Sequence, residues 1–316
     1  METKNFLSRL FCLISLVGFL TSCQSLQRRK STKPQEPSTV EVVEETQTPQ
    51  DQPNVTTPQF LEKQSPKLGI ILGPGGALSY SQIGFLQELE KQKIPVHSIA
   101  GIEWGALIAA SYAGKAKAHA IEWKLLKLPL KKFINKGFLS GNSAPKVSDF
   151  ESYLSSIFED LSFRDLEIGF NCPYISVRNE KFRLYTKGRI KNAVQVCWPS
   201  APHFTVQNVG ADYAGIKRAA EHLRSMGAEI VVYVDVLSRN QALTAKDRKQ
   251  NTLAALNIVQ SKSIVELIQQ PLINDVIQIP LPGQKINSYK ELRSIIRMGQ
   301  LKSKSSIQEL ARKYAY

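Results

Sequence analysis

Cysteine is scarce in this chain: four residues in 316, at Cys12, Cys23, Cys172 and Cys197. They are too few and too scattered for a disulfide scaffold, and no C-x-x-C pair or Cys/His cluster has metal-ligand spacing. No metal and no cofactor are expected. The four histidines, His97, His119, His203 and His222, are equally dispersed. No serine stands at the centre of a G-x-S-x-G elbow to partner one of them, which argues against a Ser-His-Asp triad. No segment carries a recognisable nucleic-acid motif, so nucleic acid is not expected as a partner. Long apolar runs are also missing, the most extended being Leu10 to Leu20, too short for a permanent membrane span. With 42% hydrophobic and 22% charged residues, the chain can nevertheless bury a full core, as one large domain or two small ones.

The N-terminus combines Lys4 and Arg9 with that short apolar stretch, the layout of a secretory signal. The stretch ends in Leu20-Thr21-Ser22-Cys23, which resembles the lipobox of bacterial lipoproteins. The resemblance implies cleavage after residue 22 and acylation of Cys23 with a palmitate-type lipid. It places the protein at the bacterial cell envelope, on the outer membrane facing either the periplasm or the cell surface. A plain secretory signal with a chance cysteine is the alternative. An oxidising compartment would permit Cys172 and Cys197 to pair, although neither their spacing nor their setting demands it.

Residues 23–66 follow as a tether rich in Pro, Thr, Gln, Glu and Ser. Such a composition buries too little apolar surface to offset its ordering entropy, so a disordered linker is expected. Residues 67–316 carry 34 Lys and Arg against 20 Asp and Glu, and hold the chain's excess positive charge. A field of that sign favours anionic surfaces such as phospholipid head groups, or reflects a generally basic, soluble surface. The stretch Trp123-Lys-Leu-Leu-Lys-Leu-Pro-Leu-Lys-Lys-Phe133 is basic and apolar together, and Pro129 interrupts it. It reads either as an ordinary amphipathic segment packed on the domain or as one lying on a membrane.

Within 67–316, strand-like and helix-like periods alternate. Lys67 to Leu72 is a short, continuously apolar run ending in glycines, as a buried parallel strand requires. Gln82 to Gln92 places Ile83, Phe85, Leu86 and Leu89 at helical spacing. A second strand is predicted over Val96 to Ala100, with a helix from Trp104 to Tyr112. A further helix over Gly215 to Met226 precedes a strand over Ile230 to Val236. This alternation predicts an α/β domain whose parallel sheet is covered by helices on both faces.

Three segments carry chemistry. In Leu72-Gly-Pro-Gly-Gly-Ala-Leu-Ser-Tyr-Ser-Gln-Ile-Gly84, Gly73, Gly75 and Gly76 follow a strand, where backbone N–H groups can point at a developing oxyanion. In Ala100-Gly-Ile-Glu-Trp-Gly-Ala-Leu107, Gly101 and Gly105 flank a tight strand-to-helix turn that lifts one side chain, Glu103. A late segment, Val209-Gly-Ala-Asp-Tyr-Ala-Gly-Ile216, supplies Asp212. In order and spacing this chain resembles the patatin-like phospholipase family, with coverage from about Lys67 to the end. The first segment matches that family's oxyanion loop, the second its nucleophile elbow, and the third the aspartate of its serine–aspartate dyad.

The resemblance implies a three-layer α/β/α fold with a mainly parallel central sheet, and a serine acyl-ester hydrolase of phospholipase A or lysophospholipase type. Three positions depart from the pattern. Glu103 stands where the serine is required, Leu78-Ser79 replace the usual Arg/Lys-Gly pair, and Tyr213 replaces the glycine after the aspartate. Loss of such a nucleophile lowers turnover roughly a million-fold in a triad hydrolase. The expected function is a membrane-anchored pseudo-phospholipase that binds phospholipid, a fatty acyl chain or a protein partner. The alternative is a lipid acyl hydrolase working through an altered carboxylate site. If Glu103 and Asp212 face each other, their charges repel, so one holds a proton or a basic neighbour intervenes.

Overall fold

The computed structural model describes residues 65–115, 117–130, 147–199, 209–237, 262–269 and 271–316. The signal segment 1–22, Cys23 and nearly all of the proposed tether 23–66 lie outside the described residues, as does His203. Residues 61–316 form one compact unit.

Strand β1 (Leu68–Leu72) is apolar and buried along its whole length. It pairs in parallel with β2 (Val96–Gly101) on one side and β6 (Ile230–Asp235) on the other. Beyond β2 lie β3 (Gly169–Ser176) and β4 (Lys181–Tyr185), and beyond β6 lies β7 (Asp275–Gln278). The seven-stranded sheet has the order β4-β3-β2-β1-β6-β7, with the short β5 (Val209–Ala211) also on β3. The pairings β3–β4 and β3–β5 are antiparallel, so the parallel core is closed at one side by a small antiparallel corner.

Side chains alternate across the sheet and divide the interior in two. Ile70, Leu72, Val232 and Val234 point into the larger core, while Ile71, Ala100, Val231 and Tyr233 belong to the other. The larger core is covered by α1 (Ser81–Lys91), α2 (Trp104–Lys115), α3 (Ala118–Leu126), α4 (Val147–Phe158), α5 (Ile190–Cys197) and the long C-terminal α7 (Leu292–Tyr314). The smaller core lies under α6 (Ile216–Ser225) and a helical stretch over 262–268. This is the expected three-layer α/β/α arrangement.

Two features fix the frame of the site. Helices α1 and α7 cross in near-contact: a Cβ on Gly84 would lie 2.0 Å from the Ile296 carbonyl oxygen, and one on Gly299 would lie 2.0 Å from that of Ser81. Only glycine permits backbones to approach so closely. Cys172 on β3 and Cys197 at the end of α5 form a disulfide with Cα atoms 6.0 Å apart. The bond ties the antiparallel corner to the helix layer beneath it. Among the described residues no helix is long and apolar enough to cross a membrane, and no cluster of His, Cys, Asp and Glu could hold a metal ion.

Candidate functional site: a glycine loop occupied by a carboxylate

Both glycine turns stand at the C-terminal ends of neighbouring parallel strands, β1 and β2, where an open α/β sheet presents its ligand crevice. After β1 the loop is fastened at several points. Gly73 N–H donates to the Val234 carbonyl at 3.1 Å, and Gln82 Nε2 donates to the Gly73 carbonyl at 2.7 Å. Ala77 N–H donates to the Ile286 carbonyl at 2.8 Å. Residues Gly76–Tyr80 then form a 3-10 turn leading into α1. Leu78 and Ser79, the residues departing from the family pattern, are wholly buried in that turn and bring no charge to it.

The turn after β2 is equally constrained. Ile102 N–H donates to the Leu72 carbonyl at 3.0 Å, stitching the two turns together. A Cβ on Gly101 would fall 2.2 Å from the Gly105 carbonyl oxygen, and one on Gly105 would fall 2.4 Å from that of Leu72. Between them Glu103 has φ 59°, a left-handed conformation that strains a residue with a side chain. This is the geometry of a nucleophile elbow with a carboxylate in the raised position.

That carboxylate is directed into the glycine loop. Glu103 Oε2 accepts hydrogen bonds from the N–H groups of Gly75, at 2.6 Å, and Gly76, at 3.1 Å. These are the donors and the distances that oxyanion stabilisation requires. Glu103 is 1% exposed, and among the described residues its Oε1 has no hydrogen-bond partner. Tyr233 and Tyr289 stand close by: a Cβ on Gly73 would meet the Tyr233 hydroxyl, and one on Gly76 would lie 3.2 Å from that of Tyr289. Burial pushes the Tyr233 phenol well above its ordinary range, and the charges of Asp235 and Glu103 push it further. For Tyr289 burial again dominates and Glu103 adds to it, while a hydrogen bond with Trp104 acts in the opposite sense. Both phenols stay neutral, so neither supplies an anion.

Asp212 ends β5 and caps the 3-10 turn Tyr213–Gly215, its Oδ1 accepting from Ala214 N–H at 3.1 Å. It is 3% exposed, and its Oδ2 is paired with the Arg218 guanidinium from α6. Arg218 also lies over the Phe182 ring, 5.4 Å from its centroid. The two carboxylates expected to confront each other therefore have separate partners, backbone N–H groups for Glu103 and an arginine for Asp212. Trp104, beside Glu103, is core: it packs against Tyr80, Trp198 and Tyr289 with ring centroids 5.6, 4.9 and 5.6 Å away. The described histidines sit elsewhere, His97 against the Met226 carbonyl and His119 near Glu122 on the surface.

Residues 70–212 match the family model described as patatin-like phospholipase. The chain is 26% identical over 195 residues to patatin-like phospholipase domain-containing protein 7 of Mus musculus, covering 55% of this chain and 14% of that protein. It is 24% identical over 184 residues to lysophospholipase NTE1 of Phaeosphaeria nodorum, covering 55% and 12%. The chain thus spans a small fraction of the length of these relatives. Among solved structures it is similar to VipD from Legionella pneumophila, at a TM-score of 0.44 and 12% identity, over 79% of this chain and 67% of that one. The matched span contains both glycine turns and Asp212, and this chain carries a domain of the patatin-like phospholipase family with its patatin-like α/β fold.

Proposed function

We propose that the protein is a non-hydrolytic patatin-like protein of the bacterial cell envelope, held at the membrane through lipid on Cys23, with a fold that binds phospholipid, an acyl chain or a protein partner. The single observation carrying this reading is the pair of hydrogen bonds from Gly75 and Gly76 to Glu103 Oε2. An acyl hydrolase needs those N–H groups free for the oxygen of its substrate's carbonyl, because their value lies in stabilising charge that develops there. Here Glu103 Oε2 already occupies them. The same contact confines the carboxylate-nucleophile alternative to Oε1, since Oε2 is held by both donors. Asp212 is engaged by the Arg218 guanidinium and makes no hydrogen bond with Glu103 among the described residues.

The envelope assignment rests on Lys4, Arg9, the apolar stretch and Leu20-Thr-Ser-Cys23. The buried Cys172–Cys197 disulfide supports an oxidising compartment. The functional reading is tested by incubating the purified protein with a phospholipid and with a short-chain p-nitrophenyl ester. Release of fatty acid or p-nitrophenol at the uncatalysed rate is the expected result. Turnover that disappears in Glu103→Ala would overturn the proposal and establish a carboxylate mechanism.

A further inference from the structure

Outside the glycine loop, one face combines exposed apolar side chains with unpaired cations. On α3, Trp123 is 69% exposed, although Ile121 and Leu125 of the same helix are buried. Beside it runs an open groove of about 480 Å³ lined by Trp123, Lys124, Lys127, Pro129, Tyr153 and Ile157. A second groove, of about 580 Å³, lies between the end of α3 and the start of α7 and is lined by Leu126, Leu130, Tyr289, Lys290, Leu292 and Arg293. From Arg293 the exposed side of α7 continues through Arg297, Leu301 and Lys304, which fall on one face at helical spacing. Leu301 is 62% exposed.

The charges on this face are available. Among the described residues, Lys127, Lys290, Arg293, Arg297 and Lys304 have no carboxylate within ion-pair distance. Lys124 differs, donating to the Ile157 carbonyl. Two acidic side chains are hydrogen-bonded to glutamines: Glu122 accepts from Gln87 Nε2 at 2.7 Å, and Glu291, which lines the second groove between Lys290 and Arg293, accepts from Gln284 Nε2 at 2.8 Å.

We propose that this α3–α7 face is a docking surface for an anionic phospholipid bilayer. An exposed tryptophan and leucines flanked by unpaired lysines and arginines match the two zones of a bilayer interface. The indole and alkyl groups enter the headgroup–acyl boundary, and the cations meet lipid phosphates. The grooves are open and shallow, as contact with an extended surface requires. The excess of positive charge over 67–316 adds attraction of the same sign. Tyr289 connects this face to the glycine loop, because it lines the second groove while its hydroxyl lies beside Gly76. The surface acts in addition to any lipid on Cys23 and does not depend on whether the loop is catalytic.

The test uses the full chain with vesicles of phosphatidylcholine alone and of phosphatidylcholine with phosphatidylglycerol. Binding is read by co-sedimentation and tryptophan emission. The N-terminal segment is common to every form and drops out of the comparison. One variant combines Lys127→Glu, Lys290→Glu and Arg293→Glu. A control combines Lys187→Glu, Lys217→Glu and Lys262→Glu, exposed residues of which the last two lie on the helices over the smaller core. At roughly fivefold per cation removed from near the surface, the first variant loses at least about a hundredfold in partitioning to anionic vesicles, and the control stays within about twofold. Trp104 and Trp198 are buried, so a blue shift on adding anionic vesicles reports Trp123 and is absent in Trp123→Phe. The proposal is overturned if the first variant binds like the wild type, if the control loses as much, or if emission does not move.

Discussion

Glu103 and Gly75 come from different strand-to-helix turns, yet Glu103 Oε2 lies 2.6 Å from the Gly75 backbone nitrogen. The loop that a hydrolase keeps open for substrate is filled by the chain's own elbow residue. Under the proposed function a single residue has two effects: no serine stands at the elbow to form an acyl-enzyme, and a resident carboxyl oxygen holds the N–H groups of Gly75 and Gly76.

Strain accompanies that arrangement. Glu103 combines a φ of 59° with a buried carboxylate oxygen that has no partner among the described residues. Glycine adopts the same backbone freely, a gain of about 1 kcal/mol, but leaves the Gly75 and Gly76 N–H groups without their acceptor, a loss of about 1 kcal/mol or more for each. Glu103→Gly should therefore destabilise the domain by about 1 kcal/mol, lowering the melting temperature by roughly 3 °C in a thermal unfolding scan.

The Cys172–Cys197 disulfide closes a loop with a sequence separation of 25. Chain-entropy arguments give such a loop about 3 kcal/mol of stabilisation. Reduction of the native protein, or the paired substitution Cys172→Ala with Cys197→Ala, should lower the denaturant midpoint accordingly. The reductant should have no effect on the double variant.

The α1–α7 crossing leaves no room for a methyl group at either glycine, each blocked by a backbone oxygen 2.0 Å away. Gly299→Ala and Gly84→Ala should each cost about 3 kcal/mol or more, because backbone atoms cannot rotate aside as a side chain can. A surface control on the same helix, Ser305→Ala, should leave the unfolding midpoint unchanged.

His222 at the end of α6 is half-buried, and burial lowers its pKa from the ordinary value of 6.5. The folded state thus holds the neutral ring, whereas the unfolded chain binds a proton more readily. The contribution is present above pH 6.5 and is lost as the pH falls through the lower folded value. His222→Gln should flatten the acid side of the stability profile measured by denaturant titration at a series of pH values.

How much of this was legible in the sequence follows from the range over which each feature is encoded. The glycine turns and strands β1, β2 and β6 are local: apolar runs ending in glycine need no distant information. Gly84 closes the first glycine segment, but the reason for it and for Gly299, a helix crossing, emerges only when residues more than two hundred positions apart meet. Strand β3 was not assigned, because Gly169-Phe-Asn-Cys-Pro-Tyr-Ile-Ser176 carries a proline and polar residues that break the apolar run. Asp212 was found through the order of motifs, whereas its partner Arg218 follows by six residues across a turn, outside the usual helical pairing distances. Tyr289 lies in a loop with no periodicity and reaches the site only through tertiary packing. The destination of the Glu103 carboxylate was likewise unreadable, since no local pattern encodes a hydrogen bond between two turns.

The most direct test of the occluded-loop account is the gain of ester hydrolysis in Glu103→Ser, measured as p-nitrophenol release from a short-chain ester. Serine is too short to reach the Gly75 and Gly76 donors as Glu103 does, so the same change restores a nucleophile and vacates the oxyanion loop. The account predicts a silent wild type, release by Glu103→Ser at least about tenfold above it, and loss of that gain when Asp212→Ala is added. Hydrolysis by the wild type that Glu103→Ala abolishes would contradict the account.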